Sequence, residues 1–404
     1  MYDFANSGYT TVVITAIFGA YFVGAVAGNA DWATFAWTAA LSVSYAAVLA
    51  LAPLIGAWAD AHAAKKTLLL ASTAGCVVCT ALLALAGPGF VWLAIVFLIL
   101  SNFCFGVGEN LIAAFLPELA DSRAMGRVSG WGWSFGYLGG ILALGVCLLY
   151  IMNARARGVL DTDSVPVTML ITAGLFAIAA TPTFVWLRER AKPQRQLVRP
   201  WARVRETLRH AEEFRDLRRF LLCLLFYQAG IQAVIALAAI YADQAMGFST
   251  AQTIVLILVV NLTASIGAFA FGYAQDRLGH VRAISLTLIG WVLMVLIAAV
   301  SRQAWTFWVA ANIAGLCMGS SQAAGRAVVG YLAPATRLGE FFGLWGLAVK
   351  GASIFGPLTY GIVTWGLPGN HRLAILAVGS YFLVGLWLLR GVDIERGRRR
   401  ALAQ

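Results

Sequence analysis

The chain holds 404 residues, 61% of them hydrophobic and only 12% charged, with a net charge of +11. Water-facing domains carry about 25% charged residues, so this chain has half the charge that a soluble surface needs. Its mean hydropathy of +0.80 makes lipid its solvent. The basic residues are confined to particular loops instead of forming one patch, which argues against nucleic acid as a partner.

Only helices or a closed barrel cross a bilayer, because backbone groups find no water there. The apolar runs are too long and too continuous for barrel strands, so the expected fold is all-α. A span needs roughly 20 apolar residues, and the runs predict helices at 7–27, 34–58, 67–86, 90–114, 128–151 and 166–187. After a polar stretch come 219–241, 250–274, 283–300, 304–328, 340–366 and 371–390. Turn signals separate several of these, among them Gly87-Pro88-Gly89 and Pro368-Gly369-Asn370. The N-terminus, with Asp3 and no basic stretch, does not read as a signal peptide. Cys76, Cys79, Cys104, Cys147, Cys223 and Cys317 all fall inside apolar runs, and the Cys76-x-x-Cys79 spacing reads there as packing rather than redox chemistry.

Loop charges supply an orientation. Even-numbered helices are followed by Lys65 and Lys66, by Arg123 and Arg127, by the Arg188 to Arg219 stretch, by Arg277 and Arg282, by Arg337, and by the tail Arg396, Arg398, Arg399 and Arg400. The opposite loops hold Arg155, Arg157, Arg302 and Arg372. Basic loops stay in the cytoplasm, so both termini are expected there, in a bacterial inner membrane. The expected organisation is a six-helix bundle at 1–187, a basic cytoplasmic linker at 188–218, a second bundle at 219–390 and a cytoplasmic tail at 391–404. Within the linker, Trp201, Val204, Leu208, Ala211 and Phe214 recur at helical spacing among arginines. That pattern predicts either an amphipathic helix on anionic lipids of the inner leaflet or a solvated linker helix.

Two halves of six helices invite a search for a repeat. After the second helix stand Gly56 and Asp60, followed by Lys65; after the eighth stand Gly272, Asp276, Arg277 and Gly279, followed by Arg282. A glycine for close helix approach, an acid at the helix end and cations at the membrane face suit a gating loop. The signature between the second and third helices of the major facilitator superfamily has this form, and the chain resembles that superfamily. The first copy departs from it at Ala61 and Ala63, where a basic residue and a glycine are usual. The resemblance implies the major facilitator fold, two pseudo-symmetric six-helix bundles that rock about a central cavity.

Finer matches resemble the vacuole-effluxer-like, autophagy-related family. They are Tyr2-Asp3-Phe4-Ala5-Asn6-Ser7-Gly8-Tyr9, Ala114-Phe115-Leu116-Pro117-Glu118 with Gly126-Arg127-Val128-Ser129-Gly130, Glu340-Phe341-Phe342-Gly343-Leu344, and Lys350-Gly351. The resemblance implies secondary transport, with fungal members linked to amino-acid export. The chain begins directly at the first of these motifs, as a shortened member would. It also carries Ala229 where the family often has an aspartate, so no proton-coupling role carries over to that helix.

Polar residues inside spans are expensive and mark function by default. Lys350 lies about 15 Å into the eleventh helix at 1.5 Å per residue, and serves either an anionic substrate group or an interhelical ion pair. Glu109, with Asn110 beside it, is the candidate for a coupling proton or else a structural pair. Gln228 and Gln232, one turn apart, face one ligand or bond between helices. Asp3, Asn6 and Arg326 read as cytoplasmic gate contacts.

No nucleotide loop, metal cluster or catalytic constellation is visible, so no cofactor and no enzymatic activity are expected. The expected function is a secondary transporter of a small solute, amino acids or related compounds, with a proton as coupling ion. The alternatives are export of drug-like or lipid-like amphiphiles, and a receptor or scaffold that moves nothing.

Overall fold

Runs of apolar residues with few charges leave the chain no option but to satisfy its backbone within helices. In a computed structural model, which describes residues 1–113, 115, 125–189, 214–332 and 338–402, the described residues form helices and turns without a strand. The basic linker and its expected amphipathic helix fall almost wholly in 190–213, outside the described residues.

Twelve long helices are described. They are α1 (Tyr2–Val26), α2 (Ala33–His62), α3 (Lys65–Leu82), α4 (Val91–Ala113), α5 (Met125–Ala156) and α6 (Asp161–Trp186), then α7 (Arg215–Met246), α8 (Thr250–Leu278), α9 (His280–Val300), α10 (Ala304–Leu332), α11 (Leu338–Gly366) and α12 (His371–Leu389). Ten of them are long and apolar enough to cross a membrane; α10 and α11 add two helices of 29 residues each. The protein is a multi-pass integral membrane protein. A short helix, α13 (Ile394–Leu402), follows in the stretch that the sequence reads as a tail.

Two compact units emerge. The first is built from the described residues of Met1–Pro200 together with Ala236–Leu258, and the second from those of Trp201–Ile235 and Val259–Gln404. Helices α7 and α8 are therefore each shared, with the end of α7 and the start of α8 belonging to the first unit.

In the first unit α1 packs on α5 and α6, α3 on α4 and α6, and α2 on α4. The α1–α5 contact is backbone-close. The space that a Cβ on Gly139 would need is taken by the Phe4 carbonyl, and a Cβ on Gly136 would stand 2.9 Å from Ser7 Oγ. Small residues allow such approach in lipid, where hydrophobicity does not drive helix association. Helix α1 is not uniform: Thr10–Ala16 and Phe22–Val26 are wound as π-helix.

In the second unit α9 packs on α10 and α12, and α11 on α12. The Trp291 and Phe382 rings stack at 5.1 Å between α9 and α12, and Trp291 Nε1 donates to Ser321 Oγ on α10 at 3.3 Å. The glycine seam recurs here: Gly315 and Gly319 of α10 abut α8 backbone at Val260 and Ala264.

Candidate functional site

The polar interior of the first unit is organised by α1. Tyr2 and Tyr9, seven residues apart, lie on one face and are buried. Tyr2 Oη bonds to Thr73 Oγ1 on α3 and Tyr9 Oη to Ser101 Oγ on α4, both at 2.9 Å. Below them Asn102 Nδ2 donates to Ser44 Oγ at 2.6 Å, while Asn102 Oδ1 finds no partner among the described residues. These hydroxyl pairs join three helices without charge.

Of the expected residues in this unit, Asp3 is half-buried, and its carbonyl accepts from Ser7 Oγ at 2.6 Å. Asn6 is buried. Glu109 is half-buried and Asn110 exposed, in the last turn of α4. A Cβ on Gly108 of α4 would stand 2.7 Å from the Tyr2 hydroxyl, so the start of α1 and the end of α4 converge there. Tyr2 was readable only as part of a motif; its seven-residue spacing from Tyr9 was the signal for a buried pair.

The two loops of the repeated motif differ in detail. Gly56 lies in α2, and a Cβ there would meet no described atom within 4 Å; the Asp60 side chain lies outside the described residues. Ala63 ends α2 at φ 49°, ψ 48°, and α3 then starts at Lys65 without a side-chain cap of its own. Two lysines in the first turn, Lys65 and Lys66, oppose the helix dipole. The deficit is met from far away: the Glu189 carboxylate accepts from the Lys65 N–H at 2.9 Å and the Lys66 N–H at 3.1 Å. Sequence reasoning missed Glu189, whose partners are 123 and 124 residues distant.

In the second loop Gly272, Asp276 and Arg277 belong to the end of α8, where Arg277 is exposed; the Asp276 side chain lies outside the described residues. Gly279 takes φ 84°, ψ 160° just before α9, and Arg282 is exposed in the first turn of α9. His280, which opens α9, places its ring 4.8 Å from that of Tyr331 at the end of α10. Arg398 of α13 lies over the same ring at 4.8 Å and donates to the Tyr331 carbonyl at 3.0 Å.

Helix α13 is held at its other end by Asp216, which is buried at the start of α7. The Asp216 carboxylate accepts from Arg396 Nε at 2.8 Å, Arg396 Nη2 at 2.6 Å and the Asp393 N–H at 3.0 Å. These bonds hold the Arg396 guanidinium above its ordinary pKa.

The deeper polar groups of the second unit lie on α7 and α11. A Cβ on Gly351 would stand 3.5 Å from Leu225, and the Ala229 carbonyl lies against Gly356, so the two helices run side by side in the same direction. Lys350 is half-buried. It is offset from Gln228 by about 6 Å along the helices at 1.5 Å per residue. Gln228 is 1% exposed and its Oε1 finds no partner among the described residues, nor does the Tyr227 hydroxyl. Gln232 is half-buried one turn further along; the Arg326 side chain on α10 lies outside the described residues. No group of three metal-ligating side chains occurs among the described residues.

At the opposite end of the first unit from Lys65, the turn between α7 and α8 is fastened to the first six helices. Trp37 Nε1 donates to the Ala236 carbonyl at 3.4 Å, Gln244 Nε2 to Asn29 Oδ1 at 2.8 Å, and Thr250 Oγ1 to Asp161 Oδ2 at 3.0 Å. Asp161 is itself held by Arg155, whose Nε donates to Oδ1 at 2.9 Å.

Known proteins share both the fold and the sequence pattern. The xylose transporter XylE from E. coli, in its inward-open conformation, superposes with a TM-score of 0.68 over 97% of this chain and 94% of its own, at 13% identity. The nucleoside transporter NupG superposes at 0.74 over 97% and 96%, also at 13% identity. An uncharacterised MFS-type transporter of Bacillus subtilis, YxiO, is 25% identical over 98% of this chain and 94% of its own length. Autophagy-related protein 22-1 of Penicillium rubens is 25% identical over 70% of this chain, an alignment that spans 52% of the fungal protein. The family described as vacuole effluxer Atg22 like matches residues 20–402, and the chain belongs to that family of major facilitator transporters.

Proposed function

We propose that the protein exports a small polar solute bearing an anionic group, of the amino-acid class, by alternating access. The observation that carries this reading is the buried Gln228 amide oxygen, which finds no partner among the described residues, on a helix that runs beside the one bearing Lys350. A buried amide oxygen without a partner costs about 1–3 kcal/mol, and a lysine inside a span costs at least about 2.5–3.5 kcal/mol on insertion scales. A ligand with a donor for Gln228 offsets the first cost, and an anionic group on the same ligand suits a lysine on the neighbouring helix. Membership of a family of vacuole effluxers fits outward movement of such solutes. The basic residues of the even-numbered loops support a cytoplasmic position for both termini in a bacterial inner membrane. Glu109 is our candidate for the coupling proton.

The test is a thermal-shift panel of amino acids, nucleosides and lysolipids on purified wild type, Lys350→Met and Gln228→Leu. A ligand that binds only the folded state raises the midpoint. Amino acids should stabilise wild type and lose that effect in Lys350→Met, with neutral analogues unaffected. Stabilisation of Lys350→Met by the same amino acids would remove Lys350 from the site, and a response to lysolipids alone would favour amphiphile export.

A further inference from the structure

Along their length, α7 and α12 pack in opposite directions within the second unit. Cys223 Sγ donates to the Gly385 carbonyl at 3.2 Å, and the Phe226 and Tyr381 rings lie 6.2 Å apart. At one end of this seam the Arg219 guanidinium lies against Gly391. Arg218 and Arg390 flank that contact and are both exposed.

The apolar residues next to these cations show which way they face. Leu222, one turn beyond Arg218 on the same helix face, is 45% exposed. Trp387, three residues before Arg390, is 66% exposed, and Leu383 one turn further is 55% exposed. Large exposed apolar side chains on a membrane-spanning helix face hydrocarbon, and tryptophan favours the boundary with the headgroups. The guanidinium groups thus continue a lipid-facing strip beyond its polar edge.

No carboxylate among the described residues supplies their countercharge. Asp216, the acid on the same turn of α7, is buried and engaged by Arg396 and the Asp393 N–H. Asp393 itself caps the Arg396 N–H at 2.9 Å and lies 3.9 Å from the Arg396 guanidinium. None of Arg218, Arg219 and Arg390 has an ion-pair partner among the described residues. A rule that merely keeps cations on one side of the membrane needs their number; it does not need three of them grouped under an apolar strip while the local acid is occupied elsewhere.

We propose that Arg218, Arg219 and Arg390 form a binding site for the phosphodiester of an anionic phospholipid, whose acyl chains lie along Leu222, Leu383 and Trp387. Guanidinium groups bind phosphate oxygens in bidentate fashion, and the apolar strip distinguishes a lipid from free phosphate. This site is separate from the basic linker and does not depend on the transported solute.

Native mass spectrometry of the full chain in detergent, titrated with dioleoyl phosphatidylglycerol or dioleoyl phosphatidylcholine, tests it. Wild type should retain phosphatidylglycerol at least tenfold better. The variant Arg218→Gln/Arg219→Gln/Arg390→Gln should lose that preference, whereas Arg157→Gln/Arg302→Gln/Arg399→Gln, with the same loss of charge at other exposed arginines, should keep it. Equal loss in both variants, or displacement of the lipid by millimolar inorganic phosphate, would overturn the proposal. Hydrogen exchange on wild type covers the case of a poorly folded variant: phosphatidylglycerol, and not phosphatidylcholine, should protect amides at 218–222 and 387–391. Protection absent there overturns it as well.

Discussion

The two loops of the repeated motif read alike in sequence, yet each is completed by a different distant partner. The first turns through Ala63 at φ 49° and borrows Glu189 to cap α3. The second turns through Gly279 at φ 84° and is braced through His280, Tyr331 and Arg398 by α13. A repeated motif therefore fixes where a helix ends and where charge collects, while the segment after each half determines how the loop is held. Glu189 immediately follows α6, and α13 follows α12.

The largest expected effect of breaking this pattern is at Gly279. Its φ 84°, ψ 160° lies in a region open essentially to glycine alone. Gly279→Ala should cost about 1–3 kcal/mol of stability, read as a lower thermal midpoint in detergent. An unchanged midpoint would mean that the second loop tolerates another conformation.

Glu189→Ala comes next. It removes the acceptor of the first two N–H groups of α3, and losing a cap costs about 0.5–2 kcal/mol. Hydrogen exchange should quicken at Lys65 and Lys66 and leave the first turn of α9 as in wild type. Equal change in both loops would show that the two are not held independently.

The smallest effect is a gain. An L-residue in the left-handed region costs roughly 1–2 kcal/mol, part of which glycine returns as unfolded-state entropy. Ala63→Gly should raise stability by about 0.5 kcal/mol, a rise of a degree or two in midpoint. A fall would show that the Ala63 methyl makes a contact worth more than its strain.

The limits of legibility follow the same division between near and far. Apolar runs located all twelve long helices, because in lipid a helix is the only way to satisfy their backbone. The ends were harder to read. Helix α8 continues through Asp276 and Arg277 to Leu278, although those charges resemble a loop, because a helix can extend beyond the hydrocarbon. Helix α1 begins at Tyr2, its polar first turn hidden against the glycines of α5. The π-wound stretches Thr10–Ala16 and Phe22–Val26 carry the same apolar residues as ordinary helix and leave no mark in sequence. Helix α13 was unreadable for a different reason: its buried face consists of Gly397 and Ala401, too small to stand out among arginines. At the candidate site, charge inside a span drew attention to Lys350 and Glu109. The adjacency of Gln228 to Lys350 depended on the α7–α11 contact, which no local pattern encodes.

The central proposal is alternating access, which requires the fastening of the α7–α8 turn to the first six helices, at the end opposite Lys65, to release. Thr250 Oγ1 and Asp161 Oδ2 are 3.0 Å apart, so cysteines at these two positions are neighbours that can be tested for a reversible cross-link. Asp161→Cys/Thr250→Cys, made in a chain whose six native cysteines are replaced by alanine, should take up a labelled amino-acid mixture into proteoliposomes when reduced. It should stop when oxidised and recover with reductant. Undiminished uptake by the fully oxidised pair would contradict alternating access through that end.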